Sequence, residues 1–124
     1  MVALVAPPEQ QLALTEPALA LARASSDPAA RAWEASLLNN IGMVHADAGD
    51  WPAALDAFER ALAARRRLGA EPDVRVARWM VAWALRHLGR TAEALAEQEA
   101  LKAELDAIGA ADPYVDEELG LLRP

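Results

Sequence analysis

Four glycines in this chain fall into two pairs with one spacing. Gly49 and Gly89 are 40 positions apart (89 − 49), and so are Gly69 and Gly109 (109 − 69). Glycine just past a helix end takes the left-handed conformation at little cost, so these positions read as helix stops. The same shift carries more than glycines. Ala54-Leu55 falls on Ala94-Leu95, Leu68 on Ile108, Ala70 on Ala110, Ile41 on Val81 and His45 on Leu85. A chain that repeats its stops and its apolar positions at one period is built from copies of one unit. Here the unit is a helix–turn–helix, which confines the fold to stacked helix pairs.

Helix starts carry their own mark. Asp27-Pro28, Glu71-Pro72 and Asp112-Pro113 each set an acidic residue before a proline, and Asp50 precedes Trp51-Pro52. Proline suits the first helical turn because its missing N–H is not needed there. Aspartate caps the free N–H groups, and glutamate does so more weakly. The starts and stops together predict helices over 15–25, 28–48, 51–68, 72–88, 91–108 and 113–122. Connections of two to four residues make neighbours antiparallel. Alanine and leucine dominate the composition, and both favour helices; β-branched and aromatic residues are too sparse for a sheet. The expected fold class is all-α.

Charge and composition exclude several functions. The net charge of −7 lies in the last third: residues 1–90 hold 10 basic and 10 acidic residues, and residues 91–124 hold 2 and 9. That balance speaks against nucleic acid as a partner, which needs a basic surface. Arg65–Arg67 is the one basic run, and it suits the negative end of a helix. Cysteine is absent, so no disulfide or thiol chemistry arises. No apolar run approaches the roughly 18 residues of a membrane span, and "MVALVAPPEQQ" lacks the pattern of a secretory leader. A cytoplasmic, membrane-free protein is expected.

Within the first full unit, Gly42 is the small residue of the first helix, with Leu38 and Ile41 in its apolar slots and His45 one turn on. Gly49 makes the turn, Trp51 follows it, and Ala54, Phe58 and Ala61 space the second helix. This arrangement resembles the tetratricopeptide repeat. The second unit matches at Ala82, Leu85, Gly89, Ala94 and Leu101, whereas Arg78 and Gln98 stand where large apolar residues are expected. The period exceeds the usual value of about 34 residues and is similar to the long-helix varieties, such as those of kinesin light chains. The resemblance implies an antiparallel helix-pair solenoid, a right-handed superhelix of five to six helices. Its parts would be an N-terminal segment 1–14 and one domain 15–124, made of a half unit 15–27, units 28–70 and 71–110, and a half unit 111–124.

The resemblance further implies that the first helix of each pair lines a concave face, where a protein or peptide binds. Asn39 and Met43 project there one turn apart. Their equivalents 40 residues on are Trp79 and Trp83, and Arg86 and His87 continue the stripe. Tyr114, Glu117 and Leu121 fall near the same face. Asn40 takes a position implied to hold a peptide backbone, since an amide both donates and accepts. Each reading has a rival. The asparagines can bond a loop carbonyl or face solvent, and Trp79 and Trp83 can be core. Trp33 and Trp51 read as packing. Arg75, Arg78, Arg86 and Arg90 make 72–90 locally basic, which suits an acidic or acidic–aromatic peptide, unless these arginines pair with Glu93, Glu97 or the acidic tail.

No catalytic motif is present: there is no phosphate-cradling glycine loop, nucleophile elbow or HExxH. "HADAGD" invites a metal, but the repeat reading assigns His45 to packing and Asp50 to a cap, so no cofactor or metal is expected. The expected function is non-catalytic protein or peptide binding by an adaptor or scaffold. The alternative is a self-associating helical module, a homo-oligomer joined through open apolar ends.

Overall fold

A computed structural model describes residues 17–22 and 28–123. Its helices are α1 (residues 17–22), α2 (Pro28–Asp47), α3 (Trp51–Leu68), α4 (Glu71–His87), α5 (Thr91–Ala107) and α6 (Pro113–Leu122). The expected boundaries from α2 onward agree to within one residue. Asp27 and the segment 1–14 lie outside the described residues.

All four predicted stops take positive φ: 78° at Gly49, Gly69 and Gly89, and 68° at Gly109. The glycines recur every 20 residues, once per helix (69 − 49, 89 − 69, 109 − 89). Three turns share one hydrogen-bond closure. Asp50 N donates to His45 O, Arg90 N to Leu85 O and Ala110 N to Leu105 O, at 2.8–2.9 Å. Each returns the chain through the same left-handed residue and satisfies a free end carbonyl.

Two of the acidic starts work as caps. Asp50 accepts from Ala53 N at 3.3 Å, and Asp112 from Tyr114 N at 2.9 Å. Glu71 does not; it lies inside α4, and the N-cap is Ala70, without a side-chain bond. Arg65, Arg66 and Arg67 occupy the last turn of α3 as expected.

From α2 onward each helix packs on the next in the chain, and α4 also touches α6. The core runs as three adjoining clusters. Leu19, Leu37, Leu38 and Ala61 join α1, α2 and α3. Ala54, Leu55, Phe58, Ala84, Leu85 and Leu122 join α3, α4 and α6. Leu101, Leu105, Val115 and Leu119 join α5 and α6. One pair cannot bury its own apolar stripe, so the pairs stack.

Small residues set the spacing. Gly42 and Ala54 are buried, and Gly42 lies directly against the Phe58 ring. Arg78 does not leave a defect at its apolar slot. Its stem packs while its guanidinium meets Glu97 at 2.6 Å and Glu104 on α5, as long basic side chains do at a core margin. Gln98 is fully buried, and among the described residues neither amide atom has a hydrogen-bond partner. Trp33, expected as packing, is 52% exposed on α2.

Candidate binding groove

One face of α4 carries Val76, Trp79, Met80, Trp83 and His87, with Met80 and Trp83 packed on the central cluster, Trp79 on the α5–α6 cluster, and Val76 and His87 exposed. Tyr114 closes one end from α6, and α2 flanks the other. Aromatic rings link these elements. Trp79 meets Tyr114 edge-on with centroids 6.1 Å apart and Trp83 at 5.9 Å. Trp83 meets Trp51 at 4.9 Å and Phe58 at 6.2 Å. His87 stacks flat on Trp51 at 3.8 Å.

The predicted residues separate by depth. Asn40 is exposed and Asn39 half-buried; neither amide has a hydrogen-bond partner among the described residues. Asn39 lines a crevice of about 140 Å³ with Ala61, Arg65, Val76 and Met80. Met43 and Trp83 are half-buried and pack on the central core. Trp79 packs on the α5–α6 cluster, and its indole N–H is buried with no acceptor among the described residues. His87 is exposed at its edge.

Arg86 is engaged within the chain. Its Nε donates to both oxygens of Glu118 at 2.9 and 3.1 Å, and Glu118 is 3% exposed. Of the expected arginines, Arg78 and Arg90 also pair inside the chain, Arg90 with Glu93. Arg75 pairs with none of the described residues. Burial lowers the Arg78 pKa, but the hydrogen bonds it donates to Glu97 and Glu104, together with the charges of those carboxylates, outweigh it and leave it raised. The His87 pKa is lowered, first by burial of the ring and then by the charge of Arg86, against a smaller opposing effect of Glu118.

Two residues of the groove were not foreseen. Val76 is 60% exposed, and Val76 and Met80 together line both the crevice and a second hollow of about 270 Å³ with Trp79, Asp112 and Tyr114. The 40-residue register contained the signal: the shift that sets Asn39 on Trp79 also sets Ser36 on Val76 and Asn40 on Met80.

Among the described residues no group of three or more His, Cys, Asp or Glu could hold a metal ion. No described helix is long and apolar enough to cross a membrane.

Helix pairs stacked on their neighbours define a helical-repeat solenoid. A family model for the tetratricopeptide repeat matches residues 33–102, more than half of the chain, and the chain belongs to that family. Repeats of this family generally mediate protein–protein interaction and are generally non-catalytic. No curated protein and no solved structure matches the chain.

Proposed function

We propose that the chain is a non-catalytic adaptor that binds a protein or peptide segment along the inner face of α2, α4 and the start of α6. The observation that carries this reading is exposed apolar surface among polar groups: Val76 and Tyr114 are 60% and 67% exposed, and Val76 shares a crevice with Asn39, whose amide has no partner among the described residues. Apolar patches rimmed by polar residues mark interaction sites. An extended segment offers both N–H and C=O, which an amide satisfies together. In this reading Asn39, Asn40 and Trp79 touch the partner. Met43, Trp83 and His87 form the floor, and Arg86 holds α6 in position.

The test compares wild type with Asn40→Ala/Val76→Ser, both immobilised and exposed to native cell extract. These positions lie outside the core, so circular dichroism should show unchanged helicity. A protein retained by wild type and lost from the folded variant is the expected result. Retention of the same proteins by both columns refutes the inner face as the working surface.

Self-association is the second reading, favoured by Ile108 and Leu121, which are 61% and 60% exposed at the α5–α6 end. Sedimentation velocity over a concentration series decides it: a strict monomer contradicts it.

A further inference from the structure

We infer that the groove selects a segment bearing a large apolar side chain with an aspartate or glutamate beside it, and that Arg75 reads the carboxylate. This rests on the binding role proposed above. A cleft of about 430 Å³ opens where the start of α4, the end of α5 and the start of α6 meet. Val76, Leu101, Leu105, Tyr114 and Val115 give it apolar walls, and Arg75 enters it.

Arg75 is half-buried, and among the described residues it has neither a hydrogen bond nor an ion pair. The other half-buried arginines are all engaged: Arg65 with Ser36, Arg78 with Glu97 and Glu104, Arg86 with Glu118. A guanidinium held against apolar walls has lost part of its water without gaining acceptors. A carboxylate supplies them in a two-bond, fork-to-fork contact. The one other charge in the cleft is Asp112, whose Oδ1 is bound to the Tyr114 amide. Val76 and Tyr114 also wall the neighbouring hollow with Met80, so the two spaces adjoin across these side chains. One segment can therefore lay its apolar side chain on Val76, Met80 and Tyr114 with its acidic neighbour on Arg75.

The test is selection from a random-peptide display library on the full-length wild type and on Arg75→Glu, with circular dichroism to confirm that both are folded. Glutamate is compatible with the first turns of α4, where negative charge suits the helix end. Wild type should enrich Asp or Glu next to a large apolar residue. Arg75→Glu should keep the apolar residue and exchange the acid for Lys or Arg. For one recovered peptide made synthetically, Arg75→Gln should weaken binding about tenfold or more, the scale of a lost charge-assisted hydrogen bond. Asp112→Asn, which preserves the cap, should tighten it.

Apolar peptides recovered without charge preference, or an acidic preference that survives Arg75→Glu, overturn the role of Arg75 and leave the binding face standing. Recovery of no peptide by either protein overturns both. If the recovered sequences match this chain's own Glu117–Leu121 face and sedimentation shows a dimer, the occupant is a second copy and the separate partner is refuted.

Discussion

Alanine at Gly42 should destabilise the fold even though alanine is the better helix former. Replacing glycine inside a helix gains about 1 kcal/mol from propensity alone. Against this stands one contact. A Cβ at Gly42 would lie 2.4 Å from Cε1 and 2.6 Å from Cδ1 of Phe58. Carbon atoms rest about 3.5–4.0 Å apart, so the ring must retreat by roughly 1 Å. Phe58 is 0% exposed and enclosed by Ala46, Ala54, Leu55 and Ala84, so it has no space to enter. Overpacking of this kind costs about 1–3 kcal/mol. With the top of that range set by so close a contact, the net loss is about 2 kcal/mol. For a domain of this size that corresponds to a melting temperature lower by about 6–10 °C. Urea unfolding followed by circular dichroism measures it.

Two controls isolate the contact. Gly120→Ala, in α6 with nothing within 4 Å of the added Cβ, should stabilise by about 0.5–1 kcal/mol. Gly42→Ala combined with Phe58→Leu should lose less than the sum of the single changes, because the smaller side chain makes room. A Gly42→Ala protein as stable as wild type would refute the close α2–α3 approach.

Gln98→Met should stabilise by about 1–2 kcal/mol, since it removes a buried amide with no partner while nearly keeping its volume; a lower unfolding midpoint contradicts this. Glu118→Ala should lose about 2 kcal/mol, below the usual range for a broken buried pair because the Arg86 side chain is 25% exposed, and hydrogen exchange should quicken first in α6. The lowered His87 pKa means that the folded state binds this proton less readily than the unfolded chain. Stability is therefore full above the ordinary 6.5 and lost as pH falls from there through the folded-state value. His87→Asn should flatten the part of a thermal-stability profile that lies below the ordinary 6.5, and an unchanged profile contradicts the assignment.

The fold was legible because its punctuation is local. A glycine at a left-handed turn and a proline in a first turn act on their immediate neighbours, so Gly49, Gly69, Gly89 and Gly109 could be read without the rest of the chain. Caps were less legible. Glutamate at 71 shares its charge with aspartate at 50 and 112, but α4 starts one residue earlier than expected, at Glu71 itself, so the cap position falls on Ala70. The site was harder still, because exposure depends on how successive pairs rotate against one another. Trp83 looks like a surface anchor in isolation, yet Trp51 and Phe58 from the preceding helix cover it. Val76 looks ordinary, yet none of the described elements packs over it. Arg86 and Arg78 look free along one helix and are engaged by carboxylates 32 and 19 or more residues away. Such pairings are set by packing and leave no local trace.

The measurement that bears most directly on the binding role is a ¹⁵N chemical-shift map of the full chain, titrated with the display-selected peptide. The account predicts shifts confined to the side-chain amides of Asn39 and Asn40, the Trp79 indole and the backbone of Val76, Met80 and Tyr114. Shifts concentrated on the outer surfaces of α3 and α5 would contradict it.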